Sequence, residues 1–105
     1  MIEREKIYEL VVQELEDANR TYPLFHSPHE AYAVLHEEVE ELADETGGAL
    51  KQLGYMWDDV RSDRDIGKAV KEIYNHAIFA VQEAIQVAAM CEKINQSNLY
   101  GGEEK

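Results

Sequence analysis

The sequence is poor in the residues that mark several protein classes. It has one cysteine, Cys91, in 105 residues, so no internal disulfide can form. A reducing compartment and a buried, structural role for this thiol are expected. No apolar run approaches the about 20 residues that a membrane-spanning helix requires, and residues 1–6 lack the apolar segment of a secretory signal. These absences predict a protein of the cytoplasm, without membrane association.

Basic residues are also scarce. Ten lysines and arginines face 22 aspartates and glutamates, which gives a formal net charge of −12. Such a chain repels a phosphate backbone, so direct binding to nucleic acid is not expected. A small anion such as a nucleotide could bind only if a cation screened the acidic residues. An acidic interaction protein, for example a DNA mimic, is the alternative that the charge suggests.

Apolar residues recur with helical spacing along most of the chain, which predicts an all-α bundle. The first helix is expected over residues 2–21 and is followed by an aromatic loop at 22–26. The second helix has a strong start signal, because Ser27 can act as N-cap, Pro28 suits the first helical position and Glu30 completes a capping box.

Two glycines affect the prediction of where the second helix ends. The helix is expected to run from Pro28 to about Glu45, and Gly47-Gly48 predicts a kink or a short break. The helical pattern resumes directly afterwards, over residues 50–60.

A long third helix is predicted from about Asp63 to Asn95. It follows a polar turn at 61–65, where Ser62 and Asp65 resemble a second capping box. At 1.5 Å per residue the helix would be about 50 Å long, more than one small domain can cover. Packing against a second copy is therefore expected.

Four glutamates lie within the five residues 37–41. On a helix, Glu37, Glu38, Glu41 and Glu45 share one side, and most apolar residues occupy the other. Like charges at these spacings repel by a few tenths of a kcal/mol per pair. A hard divalent cation such as Mg²⁺ would relieve this repulsion. A solvated acidic face is the alternative.

The third helix carries a polar stripe that could complete such a site. The stripe comprises Lys68, Glu72, Asn75, His76, Glu83, Gln86 and Lys93. If it faced the glutamates, it would add ligands for a metal and cations for a phosphate. An ordinary solvated face is the alternative. No histidine follows a glutamate at the Glu-x-x-His spacing of carboxylate-bridged di-iron bundles, and no glycine-rich phosphate loop is present.

Three motifs resemble the MazG-like all-α nucleoside triphosphate pyrophosphohydrolases, especially the short members from phages and prophages. These are the run Ser-Pro-His-Glu-Ala-Tyr-Ala-Val at 27–34, Glu-Glu-x-x-Glu at 37–41, and Glu-Ala-Ile-Gln-Val-Ala-Ala-Met at 83–90. The resemblance covers about residues 25–92. It implies one all-α domain over 1–95 and assembly into a homodimer or homotetramer. Serine and glycines near the end of the chain indicate a flexible tail over 96–105.

The resemblance also implies an activity, the hydrolysis of a nucleoside triphosphate, especially a deoxynucleotide, to the monophosphate and pyrophosphate. The implied metal is Mg²⁺, or alternatively Mn²⁺, with the ligands Glu38, Glu41, Glu83 and Gln86. Glu37 and Glu41 would orient or deprotonate the attacking water. Candidate substrate contacts, chosen from residue type and helix angle, are Lys68, His76, Lys93 and Trp57. A bacterial or phage-infected host cytoplasm would be the setting.

Gln86 departs from the family pattern, which has aspartate at this position. An amide oxygen can ligate a hard cation but adds no charge, so a degenerate protein that binds nucleotide and metal without turnover is an alternative. The 41 residues between Glu41 and Glu83 also exceed the usual spacing. A rival second motif, Glu72-x-x-Asn75, lies nearer but also lacks the aspartate.

Overall fold

A computed structural model describes residues 1–99, which form three helices: α1 (Arg4–Thr21), α2 (Pro28–Arg61) and α3 (Gly67–Ser97). No strand occurs in this part of the chain, so the predicted all-α fold is confirmed. None of the helices in it has the length and apolar character needed to cross a membrane. The region expected to be a flexible tail begins inside α3, and its residues 100–105 lie outside the described residues.

The chain divides into two compact units. The first comprises Met1–Val39 and the segment from Ala84 onwards, so it contains α1, the start of α2 and the end of α3. Its apolar core is formed by Val11, Leu15, Phe25, Ala31, Ala89 and Met90. Burial of these side chains holds the three helices of this unit together, because the apolar side chains are removed from water only where the helices pack against each other.

Helix α2 begins at the predicted capping residue. The hydroxyl of Ser27 accepts a hydrogen bond from the backbone N–H of Glu30, at 3.1 Å, so the N-cap prediction is confirmed. The carboxylate of Glu30 completes the box in a shifted form. It accepts from the backbone N–H of His26, at 2.7 Å, instead of from the N–H of Ser27. The loop before α2 is thereby tied to its first turn.

The predicted break at Gly47-Gly48 is wrong, because α2 continues unbroken to Arg61. Neither glycine has a positive φ. The structure gives a packing reason for Gly48: a Cβ at this position would lie 2.5 Å from Cε1 of His76. This glycine therefore gives the imidazole room against the helix and does not terminate it.

The turn after α2 is a Schellman motif. Asp63 adopts a left-handed conformation with φ of 56°. The N–H of Asp63 donates to the carbonyl of Val60 at 3.3 Å, and the N–H of Arg64 donates to the carbonyl of Asp59 at 2.8 Å. The predicted start of α3 near Asp63 is therefore wrong.

Helix α3 begins four residues later, at Gly67, whose N–H donates to Oδ1 of Asp65 at 3.3 Å. Ser62 does not cap it, because Ser62 lies five residues before Gly67 and at the end of α2, where its N–H donates to the carbonyls of Asp58 and Asp59. Cys91 is exposed, contrary to the expectation of a buried thiol.

The second unit, Glu40–Glu83, contains the end of α2, the turn and the start of α3. Apolar side chains are widely exposed on it. The exposed residues are Leu50, Leu53, Tyr55, Trp57, Val60, Val70, Tyr74, Ile78, Phe79 and Val81. Two antiparallel helices bury few side chains against each other, so this unit has an apolar surface without a covering layer in the described chain.

Candidate functional site

Three glutamates form an acidic cluster, which we define as Glu38, Glu41 and Glu83. Glu38 precedes Glu41 by one turn of α2, and their carboxylate oxygens lie within 4.8 Å of each other. Glu83 is on α3, and its carboxylate lies within the same distance of Glu41. Glu38 and Glu83 are half-buried and Glu41 is exposed. The structure therefore brings together three of the four predicted metal ligands.

The donor set and its spacing fit a small, hard cation. Mg²⁺ binds oxygen at about 2.0–2.1 Å, so two oxygens on one ion are separated by at most about 4.2 Å. Oxygens within 4.8 Å would need side-chain adjustments below 1 Å to reach that geometry. Carboxylates are also the ligands that such ions prefer.

Gln86, the fourth predicted ligand, follows Glu83 by three residues and so lies one turn later on α3. It lines a cleft in the first unit together with Glu37 and Glu38. Glu37 is exposed. The predicted catalytic residue Glu37 thus lies beside the cleft, next to a member of the acidic cluster.

The cleft has a volume of about 630 Å³ and is formed by residues of the first unit. Its lining residues are Glu14, Asp17, Ala18, Thr21, Tyr22, Pro23, Phe25, Glu30, Val34, Glu37, Glu38, Gln86, Met90 and Lys93. A volume of this size is typical of small-molecule sites. Five of the lining side chains are carboxylates, and one is an ammonium.

Lys93, a predicted substrate contact, is the ammonium in this cleft. It is only 3 % exposed, and its Nζ lies 5.1 Å from the centroid of the Phe25 ring. Within the described chain no carboxylate lies within ion-pair distance of it. In the described chain the buried polar side-chain atom without a hydrogen-bond partner is Oδ1 of Asn19, and Nζ of Lys93 is not of this kind.

The other predicted substrate contacts belong to the second unit. Nδ1 of His76 lies 2.9 Å from Oε1 of Glu45, so one ring nitrogen is already engaged. Lys68 and Trp57 are exposed. Along its own helix, Lys68 is 15 residues from Glu83, roughly 22 Å, and Trp57 is 16 residues from Glu41, roughly 24 Å. Neither side chain can reach the acidic cluster of its own chain.

Sequence reasoning missed the contribution of α1 to the cleft. Glu14 and Asp17 line it from the first helix, and Phe25 lines it from the loop. The spacing of Glu14 and Asp17 places them on one face of α1, but only tertiary packing shows which element that face meets.

The sequence motifs alone support the family resemblance. A comparison with protein-family models, with curated proteins and with solved structures found no match for this chain.

Proposed function

We propose that this protein is a Mg²⁺-dependent nucleoside triphosphate pyrophosphohydrolase, which forms a nucleoside monophosphate and pyrophosphate. The observation that carries the proposal is the proximity of Glu41 and Glu83. These two residues lie on different helices and are 42 positions apart in sequence (83 − 41 = 42). Two carboxylates at this distance repel each other unless a cation or a proton is shared between them. The chain also has a cleft large enough for a nucleoside beside Glu38.

Different residues of the chain would carry out different parts of the reaction. The acidic cluster would hold Mg²⁺, which polarises phosphate oxygens and offsets charge on the leaving pyrophosphate. Glu41 or Glu37 would orient a water toward the α-phosphorus and accept its proton. The new bond joins water oxygen to the α-phosphorus, and the bond from that phosphorus to the bridging oxygen breaks.

The test is a panel of nucleoside triphosphates with Mg²⁺ and detection of pyrophosphate. We expect activity in the parent protein and in Glu16→Gln, because Glu16 is exposed on α1 and does not line the cleft. Glu38→Gln should abolish the activity and leave the helix content unchanged. Equal activity in Glu38→Gln and the parent would contradict the proposal, and nucleotide binding without any product would favour the degenerate binding protein.

We also propose that a second copy of the chain covers the apolar surface of the second unit. Its ten exposed apolar side chains present on the order of 1,000 Å² to solvent, if half of each side chain's area is exposed. A stable interface buries about 800 Å² per partner. The surface is therefore large enough for a homodimer. A homotetramer would contain two such interfaces.

A further inference from the structure

The loop between α1 and α2 forms part of the wall of the cleft. Tyr22, Pro23 and Phe25 line the cleft from this loop. Tyr22 and Pro23 are exposed, whereas Phe25 is buried, with 9 % of its surface exposed. All three residues belong to the first unit, as do the other lining residues. The position of Phe25 therefore shapes the inner, apolar part of the wall.

Two side chains from neighbouring helices hold the backbone of this loop. Oε1 of Glu30, in the first turn of α2, accepts a hydrogen bond from the N–H of His26 at 2.7 Å. Oγ of Ser97, the last residue of α3, accepts one from the N–H of Phe25 at 2.9 Å. A buried N–H without an acceptor is costly, so loss of the Ser97 hydroxyl favours displacement of the loop.

The hydroxyl of Ser97 is oriented for this role. It donates to the carbonyl oxygen of Lys93 at 2.8 Å, four residues earlier on α3. A hydroxyl has a single proton, so this bond leaves its lone pairs for other donors, and the N–H of Phe25 uses one of them. The ring of Phe25 also meets Lys93, whose Nζ lies 5.1 Å from the ring centroid. The C-terminal end of α3 thus fixes both the backbone and the ring of Phe25.

We propose that Ser97 is a positioning residue, which keeps Phe25 in the wall that the nucleoside of the substrate contacts. The identity of this ligand rests on the proposed hydrolysis, whereas the contact between Ser97 and Phe25 does not. Ser97 itself does not line the cleft, so it acts through Phe25. Loss of its hydroxyl should weaken substrate binding and leave the chemistry at the acidic cluster unchanged.

Kinetics of two variants at this position test the role. Ser97→Ala should raise KM for the best nucleoside triphosphate substrate about threefold to tenfold, the factor that corresponds to one hydrogen bond. The value of kcat should stay within about twofold, because a loss of binding common to ground state and transition state leaves it unaltered. Ser97→Thr retains the hydroxyl and should behave like the parent. An unchanged KM in Ser97→Ala, or a fall in kcat alone, would overturn the proposal.

Gln96→Ala is the matched control for lost stability. Oε1 of Gln96 accepts a hydrogen bond from Nδ2 of Asn19 at 2.9 Å, so this variant also removes one hydrogen bond from the end of α3. Neither Gln96 nor Asn19 lines the cleft. The melting temperature should fall about as far as that of Ser97→Ala, while KM should remain that of the parent. Equal increases of KM in both variants would indicate general destabilisation and overturn the positioning role.

A double variant tests whether Ser97 acts through Phe25. Phe25→Leu removes the ring and should raise KM by itself. Adding Ser97→Ala should raise KM further by less than about twofold, because residues that act through one contact are not additive. Full and independent increases from both substitutions would contradict the assignment. If Phe25→Leu fails to fold, the comparison of Ser97→Ala with Gln96→Ala decides.

Hydrogen exchange of the Phe25 amide measures the contact directly. Exchange should be faster in Ser97→Ala than in the parent and unchanged in Gln96→Ala. Equal exchange in Ser97→Ala and the parent would overturn the role of the hydroxyl. If Ser97→Ala fails to fold, slower exchange of this amide in the parent on addition of nucleoside supports the proposal, and unchanged exchange overturns it.

A measurement without metal separates this proposal from the hydrolysis. Adenosine, guanosine, cytidine and thymidine are titrated calorimetrically in EDTA. The nucleoside that binds the parent most tightly should bind Ser97→Ala about threefold to tenfold more weakly. That result supports the positioning role even if no nucleotide is hydrolysed. Equal affinities of the two proteins, or a parent that neither binds a nucleoside nor hydrolyses a nucleotide, would overturn it.

Discussion

The imidazole of His76 lies 2.9 Å from the carboxylate of Glu45 and occupies the space that a side chain at Gly48 would need. The contact joins α2 and α3 inside the second unit. It also explains why α2 carries a glycine in the middle of a continuous helix, where glycine costs about 1 kcal/mol relative to alanine.

Gly48→Ala and Gly47→Ala form a matched pair. A Cβ at Gly47 meets nothing within 4 Å, so alanine there should stabilise the protein by about 0.5–1 kcal/mol. At Gly48 the imidazole must move and give up its bond to Glu45, which should cost about 1 kcal/mol or more. Urea unfolding should therefore place Gly48→Ala at least 1 kcal/mol below Gly47→Ala. Equal stabilisation of both variants would refute the close packing of His76.

Ser27→Ala should destabilise the protein by about 1 kcal/mol, because the N–H of Glu30 loses its acceptor at the start of α2. The melting temperature should fall by roughly 4–8 °C. Ser62→Ala is the control. It removes a hydroxyl that was predicted to cap α3 but does not, so the change should stay within about 0.5 kcal/mol. A larger loss at Ser62 than at Ser27 would contradict this account of the caps.

Mg²⁺ should raise the melting temperature of the parent protein, because an ion bound only by the folded state stabilises it. At 100 times the dissociation constant the stabilisation is about 2.7 kcal/mol. Glu83→Gln removes one of the three carboxylates of the acidic cluster and should respond weakly to Mg²⁺. The exposed Glu16→Gln should respond like the parent. A melting temperature that Mg²⁺ leaves unchanged would favour the acidic interaction protein.

Gln86→Asp introduces the residue that the resembled family has at this position. A carboxylate adds charge to the metal ligands, so this variant should bind Mg²⁺ more tightly and hydrolyse nucleotide faster than the parent. Gln13→Asp, on an exposed position of α1, makes the same change away from the cluster and should alter neither property. Unchanged metal binding in Gln86→Asp, measured by calorimetry, would show that Gln86 does not face the ion.

Leu50→Glu should weaken self-association, because it places a charge on the apolar surface of the second unit, where Leu50 is 72 % exposed. Sedimentation analysis should show oligomers of the parent and a larger monomer fraction of the variant. Lys51→Glu adds a carboxylate at the neighbouring exposed position and should have a smaller effect. A parent protein that sediments as a monomer at all concentrations would refute the second-copy proposal.

Local signals were sufficient for part of the fold. Ser27 and Pro28 define the start of α2 because a cap depends on three or four consecutive residues. Gly47-Gly48 misled the prediction, since a glycine that ends a helix and one that admits a neighbouring side chain are indistinguishable in sequence. Asp63 took the left-handed position where glycine is usual, so the predicted start of α3 near Asp63 lay four residues too early.

The sequence by itself determined the helical periodicity, the acidic charge and the face that Glu38 and Glu41 share, because these follow from residue order along one helix. Only the tertiary structure decided that Glu83 approaches Glu41, that Lys93 is buried against Phe25, and that α1 lines the cleft. Each of these depends on which faces of distant helices meet. Helical spacing shows which residues share a face, but it does not show which other helix packs against that face.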